Sequence, residues 1–223
     1  MINLNKHLSF FDPLTAVKKN IHIIGCGAIG STVAEMLTRM GIEALTLYDF
    51  DTVSPHNIAN QLFRDKDIGQ PKVDTLEEIL KEINPVVKIT KHKKGWTNQT
   101  LDGYVFLCVD NIELRKQICE ENEYNNSIDS IYDFRMRLTD AQHYAADWRN
   151  PEQKTALLKS MQFTHDEAKQ ETPTNACGTS LNIVSTVRVI TALGLANFIN
   201  FTKGDKLKKL ILIDAFDFFV ESY

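Results

Sequence analysis

Two kinds of hydrophobic pattern alternate along the first half of the chain. Continuous apolar runs, such as residues 103–110, predict strands that are covered on both faces. Apolar residues at helical spacing, such as Leu76, Ile79, Leu80 and Ile83, predict helices between these runs. The predicted strands span residues 21–24, 44–50, 86–90 and 103–110, and the predicted helices span residues 31–41, 71–83 and 113–122. Because strands and helices alternate, this half predicts a parallel sheet with right-handed crossovers.

The pattern changes after residue 126. Two strand-like runs are separated by a short turn at Thr139-Asp140, which predicts an antiparallel pair. The predicted elements of this half are strands at 127–138 and 141–148, a short helix at 151–160, a mobile polar loop at 161–178, a long helix at about 179–200, and one or two strands within 209–222. We therefore predict an α/β, Rossmann-like fold: a mostly parallel sheet with helices on both faces, continued by antiparallel strands in the C-terminal half.

The bulk composition is that of a soluble globular protein, with 43% hydrophobic and 24% charged residues. A net charge of −4 argues against a nucleic-acid partner, and the N-terminus lacks the continuous apolar core of a signal peptide. The longest apolar stretch, residues 181–201, contains Arg188 and three asparagines, so we expect a buried helix rather than a membrane span.

The cysteines point to a reducing compartment. None of the four forms a C-x-x-C pair, so we expect no zinc, no disulfide framework and a cytoplasmic location. Cys26, Cys108 and Cys119 lie in tight or apolar segments, and Cys108 and Cys119 are expected in the core.

A glycine loop joins the first predicted strand to the first predicted helix. Gly25, Gly27 and Gly30 form G-x-G-x-x-G: the first permits a tight turn, the second lets backbone approach a phosphate, and the third lets helix and strand pack closely. Asp49 follows Gly30 by nineteen residues at the end of the second strand, where a carboxylate can accept hydrogen bonds from a ribose. Proteins that bind NAD, FAD, ATP or S-adenosylmethionine all use versions of this loop.

Three further motifs follow the loop in order. Asp49–Val53 gives D-x-D-x-V, Asn57–Gln61 gives N-I-A-N-Q, and Gly69–Lys72 gives G-x-P-K. Later, an apolar strand ends at Asp110 and is followed by Arg115. Together these residues resemble the signature of the ubiquitin-activating-enzyme-like family, whose bacterial members include the ThiF, MoeB and HesA proteins.

The resemblance implies an adenylyltransferase that uses ATP and Mg²⁺. Its expected substrate is the C-terminal carboxylate of a ubiquitin-like or sulfur-carrier protein that ends in glycine, and the expected assembly is a homodimer. The resemblance places Lys72 at the phosphates, Asp110 at magnesium and Asp49 at the ribose. Asn57 and Gln61 would line the nucleotide pocket, together with Asp51 and the three glycines. It also implies one domain over residues 1–223: an arm at 1–20, a nucleotide-binding half at 21–125, and a mixed-sheet half at 126–223.

Each of these residues also has a simpler structural explanation. Lys72 could be a surface lysine in the first turn of a helix, and Asp110 could be a helix N-cap. Asn57 and Gln61 could be turn formers.

The sequence departs from the family pattern at two places. Asn60 stands where the family has an arginine, and residues 1–30 contain no arginine at all. Arg64, or Lys6 from the arm of a second subunit, is the expected source of the missing positive charge. Neither reproduces a bidentate guanidinium contact.

Cys177 lies in a polar segment just before the long helix. A helix N-terminus lowers the pKa of a thiol, so Cys177 is a candidate acceptor of the activated acyl group; the alternative is a small turn residue. In "DFRMR", the charges of Asp133, Arg135 and Arg137 could face a substrate tail, although a salt-bridged strand edge is the commoner arrangement.

Three functions remain open on the sequence alone. The motifs favour the adenylyltransferase, and the missing arginines favour a nucleotide-binding pseudoenzyme that positions a partner. An NAD-dependent oxidoreductase accounts for the glycine loop but leaves the Asn57–Gln61 and Gly69–Lys72 motifs unexplained.

Overall fold

One mixed sheet organises the part of the chain that the structure describes. The computed structural model describes residues 2–164, 166–167, 170 and 183–223. The strands are β1 (Ile21–Ile24), β2 (Ala44–Tyr48), β3 (Lys88–His92), β4 (Gly103–Leu107), β5 (Ile128–Met136), β6 (Asp140–Asp147), β7 (Leu210–Asp214) and β8 (Phe219–Ser222). The helices are α1 (Pro13–Ala16), α2 (Ala28–Arg39), α3 (Lys72–Ile83), α4 (Ile112–Glu121), α5 (Pro151–Lys159) and α6 (Val184–Thr202).

The strand order across the sheet is β3-β2-β1-β4-β5-β6-β7-β8. The first five strands of this order run parallel, and β6, β7 and β8 are antiparallel to their neighbours. The predicted fold class is therefore confirmed. Because the chain leaves β1 on one side towards β2 and returns on the other side as β4, a crevice opens at the carboxyl ends of these strands.

Alternating side chains of the central strands build a core on each face of the sheet. Ile23 and Phe106 pack on one face with apolar residues of α2, α3 and α6. Ile24 and Leu107 pack on the other with residues of α4 and α5. The expected helices on both faces are present because these parallel strands are apolar at consecutive positions.

The long helix α6 begins at Val184, and Ile183 before it has extended backbone, so the described helix starts later than predicted. Its length and its mean hydropathy of 1.4 would suffice to cross a membrane. Here α6 packs against α2 and strands β5–β7, and Asn197 exchanges two hydrogen bonds of 2.9 Å with the backbone of Lys208. Asn197 and Arg188, which pairs with Glu35 on α2, thus have partners within the fold.

The N-terminal arm packs on its own chain. Leu4 contacts Gly41 just beyond the C-terminal end of α2, and Phe11 is 3% exposed in the core. The glycine loop lies at the opposite end of α2, so Lys6 is not a residue of its own chain's nucleotide site. Because Phe11 belongs to the core, we expect removal of the first twelve residues to destabilise the fold.

Candidate functional site

A cavity of about 1050 Å³ lies at the carboxyl ends of β1, β2, β4 and β5. Two strands that the sequence predicts to run further, to residues 50 and 110, end at Tyr48 and Leu107, so the polar residues after them lie on turns at this rim. Eight of the predicted site residues line the cavity: Gly25, Gly27, Asp49, Asp51, Asn57, Gln61, Lys72 and Asp110.

The structure gives a different reason for the presence of glycine at each of the three positions of the loop. Gly25 has a φ of +95°, and a Cβ there would lie 2.7 Å from the backbone of Cys108. A Cβ on Gly30 would lie 1.8 Å from the Gly25 carbonyl oxygen, so this glycine serves packing and does not line the cavity. A Cβ on Gly27 would meet only Nε2 of Gln61, at 4.0 Å. Gly27 therefore leaves its space to the cavity, as a phosphate-binding loop requires.

Asp49 connects the end of β2 to the glycine loop. Its Oδ2 accepts a hydrogen bond from the Cys26 amide at 2.6 Å, and its Oδ1 accepts one from the Asp51 amide at 2.8 Å. Burial raises the pKa of the Asp49 carboxyl, while these two backbone hydrogen bonds lower it. The carboxylate is thus fixed beside the loop, where it can also accept from a ribose hydroxyl.

The D-x-D-x-V and G-x-P-K motifs are hydrogen-bonded to each other. Val53 donates to the Gln70 carbonyl at 2.9 Å, Gly69 donates to the Val53 carbonyl at 2.8 Å, and the Lys72 amide donates to the Asp51 carbonyl at 3.0 Å. These hydrogen bonds hold the two motifs side by side at the cavity.

Lys72 is the first residue of α3 and is 6% exposed. Its Nζ lies 2.8 Å from Oδ2 of Asp51, which is half exposed towards the cavity. The alternative of a surface lysine is therefore wrong. The buried ammonium group has one carboxylate partner and reaches the cavity wall, which suits contact with an anion.

The Asn57–Gln61 segment contains both turn-forming and unsatisfied groups. Asn57 is buried, and its Oδ1 accepts from the Ser54 amide at 2.9 Å, so the turn-forming role is real. In contrast, Asn60 Oδ1 and Gln61 Oε1 are buried without a hydrogen-bond partner among the described residues. Unpaired buried oxygens are costly, so a ligand that donates hydrogen bonds to them would be favoured.

Asp110 lies exposed at the cavity rim, and within the described residues its carboxylate has no hydrogen-bond or ion-pair partner. The alternative role as the N-cap of α4 is wrong, because Asn111 Oδ1 accepts from the Leu114 amide at 2.8 Å and fills that role. A free carboxylate on a fixed turn is available for a hard cation such as Mg²⁺. The described residues contain no group of three histidine, cysteine or acidic side chains that could hold a metal by themselves.

On the β5 side of the cavity, two arginines form ion pairs with one buried carboxylate. Asp133 is 0% exposed and pairs with Arg115 and with Arg135, whose Nε lies 2.6 Å away. Arg135 also donates to the Ser160 carbonyl at 2.7 Å and stacks over the Tyr144 ring at 4.3 Å. Asp133 and Arg135 thus form the salt bridge that their sequence predicts as the commoner arrangement, but Arg135 also lines the cavity.

Sequence reasoning missed how these arginines work together. Arg115 and the "DFRMR" residues lie on different predicted elements, and only the parallel pairing of β4 with β5 brings them to one place. The available signal was that Arg115 follows the end of one parallel strand, while Asp133 and Arg135 are charged residues within the next predicted strand.

Two further candidates are not brought into the cavity by the structure. Arg64 pairs with Asp67 and with Glu82, each at 3.0 Å, and does not line the cavity. It cannot supply the missing charge from this position, which corrects the expectation. Cys177 lies outside the described residues. Burial raises the pKa of the Cys108 and Cys119 thiols well above the usual range. Cys119 is buried in the core as expected, whereas Cys108 is half-buried and lines the cavity, which corrects that expectation.

Residues 14–222 match the model of the ThiF family. The chain belongs to this family. Among its relatives, ubiquitin-like modifier-activating enzyme 5 of Arabidopsis thaliana is 34% identical over 128 residues, which cover 55% of this chain and 29% of that protein. The same enzyme of Dictyostelium discoideum is 36% identical over 119 residues, which cover 44% of this chain and 31% of that protein. This chain thus spans about a third of the length of these two relatives.

Solved structures share the fold of this ThiF family chain. Escherichia coli MccB superposes with a TM-score of 0.71 and 19% identity, over 94% of this chain and 63% of that one. PaaA superposes with a TM-score of 0.67 and 16% identity, over 92% of this chain and 64% of that one. The family resemblance inferred from the four motifs is confirmed.

Proposed function

We propose that this chain binds ATP and transfers its adenylyl group to the C-terminal carboxylate of a small carrier protein. The observation that supports this most is the convergence of the motifs. Residues from the glycine loop, the D-x-D turn, the Asn57–Gln61 segment, the start of α3 and the turn after β4 line one cavity. An oxidoreductase has no use for the last three groups.

The cavity walls fit a magnesium nucleotide. The open face of Gly27 leaves room for a phosphate, and the unpaired oxygens of Asn60 and Gln61 can accept from hydroxyl or amino groups. Lys72 would contact the phosphates, and Asp110 would hold the metal. Bound Mg²⁺ would neutralise part of the triphosphate charge.

The reaction joins a carboxylate oxygen of the carrier to the α-phosphorus of ATP. The bond from that phosphorus to the bridging oxygen breaks, and pyrophosphate leaves with the electron pair. Lys72 is placed to stabilise the charge on the phosphate oxygens as pyrophosphate leaves. The cavity continues along β5 past Arg135 to Gln142 and Tyr144 on β6, which offers an extended tail a path to the nucleotide.

The carrier is proposed to be a ubiquitin-like protein, or alternatively a sulfur carrier, with a C-terminal glycine. A tail that ends in glycine has no side chain at the position that must enter between nucleotide and wall. The relatives named as activating enzymes of ubiquitin-like modifiers favour the first class.

ATP–pyrophosphate exchange with candidate carriers tests the function. Purified chain, Mg²⁺, ATP and labelled pyrophosphate should form labelled ATP only when a carrier that ends in glycine is present. The matched control is the same carrier without its terminal glycine. Absence of exchange with any such carrier, despite bound ATP, would favour the second candidate.

That second candidate is a nucleotide-binding pseudoenzyme that positions a partner. It is favoured by Asn60, because a neutral amide replaces a guanidinium there, while Lys72 and Arg115, which also line the cavity, are already paired with Asp51 and Asp133. Binding of ATP and a carrier without formation of an adenylate would identify it.

A further inference from the structure

The backbone is held on both sides of Asp110, although the carboxylate itself is free. Before it, the Cys108 amide donates to the Ile24 carbonyl at 2.8 Å, which extends the pairing of β4 with β1. After it, Asn111 caps α4. A fixed backbone with an unpartnered side chain is the arrangement of a preorganised ligand-binding residue.

The remaining group of this turn, the Val109 carbonyl, is held by Arg115. It accepts hydrogen bonds from Nε of Arg115 at 2.8 Å and also from Nη2 of the same side chain. This carbonyl belongs to the planar peptide unit that joins Val109 to Asp110, so its direction fixes the backbone of Asp110.

Arg115 is in turn anchored to the neighbouring strand. Its Nη1 donates to the buried Asp133 carboxylate and, at 2.7 Å, to the Phe134 carbonyl. The pairing of β4 with β5 ends at Leu107 and Asp133, while β5 continues to Met136. The guanidinium spans the gap where the two strands separate. Only a planar fork with several donors can hold both sides at once.

We propose that Arg115 is a positioning residue that holds the turn of residues 108–111 in the conformation that presents Asp110 to the cavity, with Asp133 as its anchor. The ligand that Asp110 meets there rests on the proposed function. The positioning itself is a property of the free chain, so it can be measured without nucleotide or carrier.

Hydrogen exchange of the free chain, followed by mass spectrometry, tests the positioning. Arg115→Lys keeps a charge beside Asp133 but loses the fork, so the amides of Cys108 and Leu114, whose hydrogen bonds hold the two ends of the turn, should exchange at least about fivefold faster, the factor for one lost hydrogen bond. Peptides from β1 should be unchanged. Ile118→Val is the matched control, because Ile118 lies buried on the same helix and its apolar side chain forms no hydrogen bond with the turn.

The control should leave the turn as protected as in the wild type. Equal protection of the Cys108 and Leu114 amides in Arg115→Lys and the wild type overturns the proposal. If Arg115→Lys increases hydrogen exchange throughout the chain, Arg115→Gln is measured instead. In that variant Asp133 keeps Arg135 as its partner.

A double-mutant cycle tests the link to Asp110. If Arg115 acts through Asp110, Arg115→Lys lowers kcat of pyrophosphate exchange on the order of 100-fold and raises the Mg²⁺ concentration needed. In the Asp110→Asn background the same change should have little further effect, whereas Ile118→Val should have the same effect in both backgrounds. Independent effects of Arg115→Lys and Asp110→Asn contradict the link. A wild type without exchange refutes the proposed function instead, and the hydrogen-exchange result still decides the positioning.

Discussion

The ammonium group of Lys72 is nearly removed from water and lies 2.8 Å from the Asp51 carboxylate. An ion pair of this kind stabilises folding little, because the cost of removing both charges from water offsets their attraction. In the proposed site, the same buried charge is available to the phosphates of a nucleotide. We therefore expect the Lys72–Asp51 pair to contribute more to the proposed reaction than to the free energy of unfolding.

Lys72→Ala should lower the rate of pyrophosphate exchange by about 100- to 1000-fold, because Lys72 stabilises charge that develops as pyrophosphate leaves. The affinity for ATP should fall by less than about tenfold, since ground-state contacts to the rest of the nucleotide remain. Lys66→Ala, an exposed lysine outside the cavity, is the control. Full exchange in Lys72→Ala would show that the active site is elsewhere.

His143 is a buried residue without a role in the proposed site. Its ring lies between Tyr132 and Phe134 and contacts Asn197, and burial lowers its pKa to about 4. The unfolded chain binds a proton at this residue below pH 6.5, whereas the folded chain stays neutral until about pH 4. Stability from His143 is therefore complete above pH 6.5 and is lost as pH falls towards 4.

Between pH 7.5 and pH 5 the free energy of unfolding should fall by about 2 kcal/mol because of His143 alone. Urea unfolding of wild type and His143→Gln at both pH values measures this. The glutamine variant cannot titrate, so its own decrease over this interval should be smaller by that amount. Identical decreases in the two proteins would mean that His143 is protonated in the folded chain.

At the scale of elements, the start of α2 illustrates how backbone and ligand share one loop. Gly30 touches the Gly25 carbonyl, so this part of the loop is filled by the chain itself. Gly27, three residues earlier, faces open space. The same motif thus contains one glycine that the close packing of the loop requires and one that leaves open space at the cavity.

Gly27→Ala should lower the Tm much less than Gly30→Ala does, because a Cβ at Gly27 would meet no atom closer than 4.0 Å. It should weaken ATP binding by about tenfold or more, since the methyl group occupies the space left for a phosphate. Gly30→Ala should instead lower the Tm strongly. Thermal unfolding and calorimetry of both variants measure the contrast, which would be absent if both glycines served packing alone.

Much of this element level could be predicted from the sequence. Continuous apolar runs located the strands, apolar residues at helical spacing located the helices, and the motifs located the residues that converge on the cavity. The ends of β2 and β4 were predicted two and three residues too late, because apolar or polar character alone does not show where the ladder stops. The arm and the Arg115–Asp133 anchor depend on contacts between distant segments, which no local pattern contains.

At the scale of the whole molecule, the switch in strand order places every motif at one end of the sheet. Helices cover both faces, so the carboxyl edge is the surface at which loops from both sides of β1 meet. Nucleotide preference is therefore a property of several loops together, not of the glycine loop alone.

We predict that the chain binds magnesium ATP in preference to NAD. Lys72 and Asp110 suit a triphosphate with a metal, and neither has a function with a dinucleotide of lower charge. Calorimetry with both nucleotides in the presence of MgCl₂ measures the preference. Tight NAD binding without ATP binding would falsify the adenylyltransferase proposal and leave the family assignment unchanged.

The hydrogen bonds between Val53, Gly69 and Gln70 have a practical consequence for experiments on this protein. They close residues 54–68 into a loop whose two ends stay together whatever its length, and closing a longer loop costs little additional entropy. A fluorophore attached to a cysteine in place of the exposed Lys66 should leave the fold intact. Because the Asn57–Gln61 segment belongs to the same loop, an attached fluorophore would sense nucleotide from outside the cavity.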